Sequence, residues 1–516
     1  MNDLKKQTPA AKPSAFTELG LKSTVENLCQ EIRELYLADD VPWIIGYSGG
    51  KDSTATLQLV WMAIAGLEPA LRKKTVYVIS TDTMVENPVV AAWVANSLNV
   101  MKKAAKDQAV PFSPNRLTPK ISDSFWVNLI GRGYPAPRHK FRWCTERLKI
   151  KPSNFFINSI IKDCGEAILV LGSRKAESVR RAANMEKHEA GRIRDRLSPN
   201  ASLPGSLVYT PIEAWTNDDV WLFLMQASNP WGIKNNDLLG MYAGASADGE
   251  CPLVVDSSTP SCGDSRFGCW VCTLVDKDKS MTAMIQNDSE KEWMTPLLEL
   301  RNLLDFRQNG NGTDEENSDR HLRDFRRMSG SVQLFYGREI PGPYTQKSRE
   351  EWLRKLLGAQ TWIRKNGPAD VRSIELITLE ELQEIRRIWV VDKHELEDLL
   401  PRIYHETTGE PYPGRPLDDN MVLDSYDMSD LKEICGEDRL HYELTRELLG
   451  VQRQQRSTGR RSKVFEQLEK TFRRNFYDSR EDALAKAKTK ADSLKKLEEI
   501  KQDRVLEPSA GEECPL

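Results

Sequence analysis

Short apolar runs alternating with segments of helical spacing set the plan of the first half of this chain. Trp43-Ile44-Ile45-Gly46 breaks at Tyr47-Ser48-Gly49-Gly50-Lys51-Asp52-Ser53, and Leu57, Leu59, Val60, Met62 and Ile64 then recur as on one helix. A second run at 75–82 ends in Ser80, Thr81 and Asp82, and 88–106 return to helical spacing. A third, 167–171, ends at Gly172-Ser173-Arg174. An amphipathic helix is expected at 21–38. Strand and helix alternating in this way predict an α/β fold, a parallel twisted sheet with flanking helices and with ligands at the carboxyl ends of its strands. Residues 184–206 are polar and basic, with Pro199, Pro204 and Gly205, the composition of a mobile loop. Thr216 is placed to cap the helix that follows, and Trp215 and Trp221 read as core.

Beyond 285 the pattern turns helical and charged, and Trp293, Leu297, Leu298, Leu300, Leu303 and Leu304 offer a core face. Asn309 to Ser318 reads as an exposed loop, 345–400 hold two more helical patterns, and Pro411 to Pro416 break them. The expected division is a disordered tail at 1–20, an α/β domain at 21–245, a cysteine-cluster loop region at 246–285, a helical domain at 286–450 and a basic helical tail at 451–516.

Composition adds bounds. At 516 residues, 39% hydrophobic and 29% charged, the chain can bury a large core. A net charge of -3 leaves any contact with nucleic acid to local patches. No apolar run reaches membrane-spanning length, and the first fifteen residues are polar, so no membrane association and a cytoplasmic location are expected. Nine cysteines in such a chain point to metal or redox work where they cluster, not to a disulfide framework.

The glycine turn after the first run carries the first chemistry. Two consecutive glycines bring backbone N–H groups close to an anion, the helix start adds its dipole and Lys51 adds a charge. The turn is not the ordinary P-loop, because Asp52 stands where that motif needs Ser or Thr and Ile45 where it needs Gly. Asp82, at the end of the second run, is a candidate for the same ligand or a loop cap.

A basic segment follows. Between 132 and 151, Arg132, Arg138, Lys140, Arg142, Arg147, Lys149 and Lys151 face one acid, Glu146, among Tyr134, His139, Phe141 and Trp143. Guanidinium groups and rings so mixed suit phosphate and base contact, and Arg180 and Arg181 extend the candidate set. Between 451 and 505 sixteen Lys and Arg stand against nine Asp and Glu, which suits a helix docking on a protein as well as on nucleic acid.

Cys251, Cys262, Cys269 and Cys272 fall within 22 residues at C-x10-C-x6-C-x2-C, a loop-built thiolate pocket. One C-x2-C knuckle suits a four-iron (4Fe-4S) cluster; structural zinc and plain buried cysteines remain alternatives. Cys144, amid cations expected to favour its thiolate, is a candidate sulfur carrier, nucleophile or small core residue. Cys29, Cys164, Cys435 and Cys514 have no such context.

Ser48-Gly49-Gly50-Lys51-Asp52-Ser53 resembles the PP-loop of the adenine-nucleotide α-hydrolases. With Arg142-Trp143-Cys144…Lys149, Gly172-Ser173-Arg174-Lys175-Ala176-Glu177-Ser178, the Pro211-Ile212…Trp215…Asp219-Val220-Trp221 segment and the four cysteines, it is similar to the PAPS reductase superfamily across about residues 20–280. Within it, the combination is most similar to the sulfurtransferases of bacterial DNA phosphorothioation. That resemblance implies an ATP pyrophosphatase and sulfurtransferase. ATP and magnesium would sit on Ser48 to Ser53, with Asp82 and Gly172 nearby; Lys51, Asp52, Arg174 and Cys144 would act in catalysis; and the four clustered cysteines would bind metal. Arg138, Lys140, Arg142, Lys149, Arg180 and Arg181 would meet DNA, and a cysteine desulfurase and other subunits of a modification complex would be partners. The same residues leave open an adenylylsulfate or PAPS reductase, a tRNA thiolase, and a non-enzymatic iron–sulfur scaffold. Against the reductases stand the lack of an adjacent cysteine pair and the final Glu512-Glu513-Cys514-Pro515-Leu516, unlike their Glu-Cys-Gly-x-His tail.

Overall fold

A six-stranded sheet, β1 (Trp43–Gly46), β2 (Val76–Thr81), β3 (Phe112–Leu117), β4 (Ala167–Val170), β5 (Ser198–Pro199) and β6 (Ser206–Tyr209), is ordered β3-β2-β1-β4-β6-β5. The structure, a computed structural model, describes residues 13–192, 194–246, 267–306, 318–417, 423, 425–455, 462–475 and 477–506. All pairings are parallel except β5 with β6, so the expected α/β fold with a largely parallel sheet stands. Trp43 lies opposite Val76 on one side and Ile168 on the other, which is why β1 and β4 read as unbroken apolar runs: both of their faces are covered. The chain winds outward from β1 to β3 and then returns to the other side of β1 with β4. A crevice therefore opens between the ends of β1 and β4.

Helices α1 (Gly20–Leu37), α2 (Lys51–Ala65), α3 (Pro88–Asp107), α4 (Lys151–Cys164), α5 (Val179–Glu189), α6 (Asn217–Gln226) and α7 (Asn235–Gly244) accompany the sheet. Trp43, Trp61, Trp215 and Trp221 are all in the buried core, as expected of the last two. Two expectations fail. Residues 184–206 are not one mobile loop: Ser178 caps α5 by accepting from the Arg181 N–H (3.2 Å), Lys175 pairs with Glu189 (2.7 Å), and β5 and the start of β6 follow. The tail expected at 1–20 is docked over its described part. Phe16 is buried edge-on against Trp215 at 5.2 Å, and the Ala15 N–H donates to Asp219 (3.1 Å).

Further along lie α8 (Lys279–Asn287), α9 (Thr295–Leu304), α10 (Gln346–Asn366), α11 (Leu379–Arg387), α12 (Leu400–Thr408), α13 (Ser425–Cys435), α14 (Arg439–Gln455), α15 (Ser462–Asn475) and α16 (Arg480–Leu506), with a hairpin of β7 (Leu334–Phe335) and β8 (Arg338–Glu339). The helical second half is thus as expected. The chain forms two units: residues 1–125, 137–305 and 363–373 in one, 126–136, 306–362 and 374–516 in the other. Among the described residues no helix is long and apolar enough to cross a membrane.

Candidate active site

β1 delivers the chain into the glycine turn, and each residue there has a physical reason. Gly49 sits at φ +75°, and a Cβ on it would come within 2.5 Å of the Val94 side chain, so only glycine fits. Its carbonyl accepts from Trp93 Nε1 (3.1 Å). Gly50 stands just before α2 and its carbonyl collects the Thr54 N–H (3.0 Å) and the Ser53 and Thr54 hydroxyls (2.9 Å each). The Ser48 N–H donates to Ser53 Oγ (3.2 Å), tying the turn to the helix it opens.

β4 brings the second wall. A Cβ on Gly172 would lie 2.7 Å from the Asp52 carbonyl oxygen, so glycine lets the strand end pass against the first turn of α2. Arg174 follows, 4% exposed, and its Nε donates to Asp52 (2.6 Å). The resemblance implies a part in catalysis for this guanidinium; its geometry gives it first to Asp52. Glu177 reaches back to accept from the Arg174 N–H (3.2 Å) and also holds Arg181.

Between these walls and α3 lies a cavity of about 590 Å³, lined by Ser48, Gly50, Lys51, Asp52, Asp82 and Arg174 among others. Its carboxylates are matched: Asp52 with Arg174, Asp82 with Arg116 (3.0 Å from Nε), Glu86 with Lys149 (3.4 Å), Glu177 with Arg181. Lys51, 3.4 Å from the already paired Asp52, leaves the lining with an excess of positive charge beside the start of α2. Asp82 lines the cavity and also caps its own loop, accepting from the Met84 N–H (2.8 Å). On the other side Val90, Ala91, Val94 and Ala95 of α3 offer an apolar surface.

Tyr242, which sequence reasoning missed, takes the Lys51 N–H on its hydroxyl (3.3 Å) and places its ring 5.4 Å from the Lys51 ammonium. Burial pushes its phenol up to about 12, so it stays a neutral hydrogen-bonding group. Arg116 was missed as well. It stands near the end of β3, whose Ser113, Pro114 and Asn115 disguise a strand; β3 is an edge strand, where proline is tolerated.

The cysteine turn is joined to this cavity. Glu86, in the lining, bridges to Cys269 as an antiparallel β pair, the Trp270 N–H donates to the Val85 carbonyl (3.0 Å), and the Thr83 hydroxyl lies 3.3 Å from Cys269 Sγ. The Cys272 N–H closes the turn onto the Cys269 carbonyl (3.0 Å). Arg301, wholly buried on α9, gathers the carbonyls of Cys272 (3.0 Å) and Asp276 (3.2 Å) and is neutralised by Asp305 (3.1 Å). Nothing in the sequence pattern marks it.

Burial and then Glu86 push the Cys269 thiol up to about 12, against the pull of Lys149. Lys149, half exposed, is lowered by its surroundings but raised further by Cys269, Glu86 and Cys272, and stands above the usual lysine range. Cys144 feels Cys272 as a neighbour. Burial raises its thiol, and Arg142 opposes this too weakly to prevail, which corrects the expectation that the basic segment favours a thiolate. Cys251 and Cys262 lie outside the described residues. Among the described residues, no three Cys, His, Asp or Glu side chains stand together as a metal site.

Arg138, Lys140 and Arg142 are exposed; Arg138 and Phe141 exchange backbone hydrogen bonds (3.2 and 2.8 Å), which folds the segment into a tight turn. Lys149 and Arg181 reach the cavity, while Arg180 is exposed on α5.

Residues 42–274 match the phosphoadenosine phosphosulfate reductase domain. Over 214 residues the chain is 24% identical to an uncharacterized protein of Methanocaldococcus jannaschii, covering 41% of this chain and 38% of that relative's length. Among solved structures, the U34-tRNA thiolase NcsA from Methanococcus maripaludis with its 4Fe-4S cluster is similar at a TM-score of 0.25 and 13% identity, over 55% of this chain and 80% of that one. Candida glabrata FMN adenylyltransferase, in complex with FMN and an ATP analog, is similar at 0.25 and 10%, over 47% and 64%.

Proposed function

We propose that the chain, whose residues 42–274 match a PAPS reductase domain, is an ATP-using sulfurtransferase of the DndC kind, which replaces a non-bridging oxygen of a DNA backbone phosphate by sulfur. One observation carries the reading: the nucleotide-sized cavity and the Cys269–Cys272 turn share a wall, through the Glu86–Cys269 bridge. A phosphate cradle with a thiol turn at its rim suits activation followed by sulfur delivery.

The chain's own groups support the first step. The purine lies against the α3 surface, the phosphates meet the start of α2 and Lys51, and Asp52 and Asp82 would supply the oxygen donors if magnesium accompanies the nucleotide. The DNA phosphate oxygen attacks the α-phosphorus and pyrophosphate leaves, while Lys51 and the helix start stabilise the gathering charge. Arg174 is a positioning residue, fixing the Asp52 carboxylate through its Nε (2.6 Å). A sulfur nucleophile at the oxidation level of hydrosulfide then attacks the DNA phosphorus, and AMP leaves with the original oxygen. In this reading a cysteine desulfurase supplies that sulfur as a persulfide, a thiol reductant gives the two electrons that release it as hydrosulfide and is itself oxidised to a disulfide, and other subunits of a modification complex bring the DNA.

The thiols suit an iron–sulfur group, which Cys251, Cys262, Cys269 and Cys272 would hold with Cys144 beside Cys272; soft sulfur donors on a Cys-x2-Cys turn are its chemistry. When bound, it supplies iron that can carry sulfur.

Pyrophosphate release from ATP tests the proposal. We expect release stimulated by short DNA duplexes and lowered at least about a hundredfold in Lys51→Ala, in an oxygen-free preparation whose iron and acid-labile sulfide are measured alongside. Undiminished release from Lys51→Ala sinks the assignment, zinc without iron removes the cluster, and stimulation by tRNA but not DNA moves the acceptor to RNA.

A further inference from the structure

The second unit contains a cavity of about 230 Å³ and, leaving its wall, the β7–β8 hairpin. Seven arginine and lysine side chains line the cavity against five carboxylates. Several are already neutralised: Arg326 by Asp324 (2.9 Å) and Glu443, Arg349 by Glu395, Arg446 by Glu397 (2.9 Å). Arg132 and Arg327 differ. The Nε of Arg132 is buried without a hydrogen-bond partner, as is that of the ion-paired Arg446, and the Arg327 side chain donates to the Pro341 carbonyl (3.0 Å) and meets no carboxylate among the described residues. A buried guanidinium nitrogen whose hydrogen goes unused is costly, and the half-exposed remainder of the Arg132 side chain is free to turn it toward an anion.

The chain leaves this wall past Gly330, whose carbonyl accepts from the Tyr477 hydroxyl (3.3 Å). It rises into the hairpin, closed at its foot by the Ile340 N–H on the Gln333 carbonyl (2.8 Å) and braced by Glu339 against Arg480. At the tip Phe335 is 64% exposed and Tyr336 91%, their rings edge to face at 4.5 Å. Tyr336 has φ +47° and Gly337 φ +74°. Two left-handed residues make the turn that Asn-Gly adopts readily; a tyrosine in the first place is strained. The strain and the exposed ring both work against stability and solubility, and strain of this kind persists where function uses it.

We propose that cavity and hairpin together form a DNA-holding surface, in which a backbone phosphate seats against Arg132 and Arg327 and the Phe335–Tyr336 tip stacks on, or wedges beside, a base of the same DNA. An anion site with two uncompensated guanidiniums, from whose wall the chain runs directly into a pair of exposed rings, matches a polymer that alternates phosphate with flat base, whereas two rings alone are too little apolar surface for a stable protein interface. The inference rests on the reading of DNA as acceptor and adds where the DNA is held.

The test uses the full chain without ATP, a labelled short duplex, and fluorescence anisotropy over a salt series, with a melting curve for each variant. Tyr336→Asn relieves the strained turn. It is expected to lower affinity about tenfold with the salt slope unchanged and the melting temperature equal or higher. Arg132→Gln with Arg327→Gln is expected to lower the slope of log affinity against log salt by about two, and Arg327→Gln alone, the milder change, by about one. Full affinity in Tyr336→Asn overturns the tip, an unchanged slope in Arg327→Gln overturns the cavity, and a wild type that binds structured RNA but no duplex overturns both. Pyrophosphate release is read in parallel: duplex binding that depends on these residues, without DNA-stimulated release, upholds the surface and sinks the sulfurtransferase reading.

Discussion

Gly172 shows how a residue near a site can matter through the backbone alone. The resemblance puts it near the nucleotide. The approach it permits is to backbone, since a Cβ would stand 2.7 Å from the Asp52 carbonyl oxygen and 3.0 Å from Thr56 Oγ1. Gly172→Ala must therefore push β4 away from α2 and carry Arg174 off Asp52. We expect a stability loss of about 1–3 kcal/mol and a fall in pyrophosphate release larger than that loss accounts for, because the Arg174–Asp52 pair moves with the backbone. Gly240→Ala, on α7 with no atom within 4 Å of the added carbon, is the control and should leave release unchanged. Equal release from both variants would show that the strand end does not position the cavity. Lys51 and Gly49 were legible because their chemistry is local, a turn and a charge. Tyr242 and Arg301 were not, because each matters through a partner far along the chain: Lys51 for one, the Cys272 carbonyl for the other.

At the scale of elements, the apolar runs β1, β2 and β4 announced themselves, and so did the cap of α6. Edge strand β3 and helix α5 did not, since an edge strand needs no unbroken apolar run and α5 has no buried side chain to give it a period. The α6 cap does more than the sequence suggested. Asp219 takes the Thr216 N–H (2.8 Å) in a reciprocal capping box and also holds the Ser14 hydroxyl and the Ala15 N–H, so one carboxylate starts the helix and docks the segment carrying Phe16. Burial works against its charge, but these hydrogen bonds outweigh burial and hold its pKa below the ordinary value. A depressed folded pKa stabilises above the unfolded value, about 3.9, and the contribution is lost as pH falls through the folded value. Asp219→Asn should thus cost about 1–2 kcal/mol at neutral pH, with the gap from wild type closing below about pH 4. A gap that stays constant down to pH 3 in denaturant titrations would place the effect elsewhere.

The whole molecule departs furthest from a linear reading. The expected division runs in sequence, with boundaries at 245 and 285. The two units are instead interleaved along the chain, which passes between them after 125, 136, 305, 362 and 373. Within the second unit, the excursion at 126–136 is held by residues hundreds of positions later: Trp126 Nε1 donates to the Leu376 carbonyl (2.8 Å), Trp389 Nε1 to the Ile130 carbonyl (3.0 Å), and the Tyr344 N–H to the Gly133 carbonyl (2.7 Å). Trp126, Val127, Leu129 and Ile130 are at most 1% exposed. A fragment ending at Asp305 keeps the cavity residues and the Cys269–Cys272 turn, yet strips those four side chains of their cover, at about 1.5–3 kcal/mol each, and leaves polar groups without their partners. That is comparable to the whole margin by which domains are stable. Residues 13–305 expressed alone should therefore aggregate or melt without cooperativity, and ATP should not shift the transition. A soluble fragment with a single cooperative transition that ATP raises would show that the nucleotide unit needs no support from the later chain.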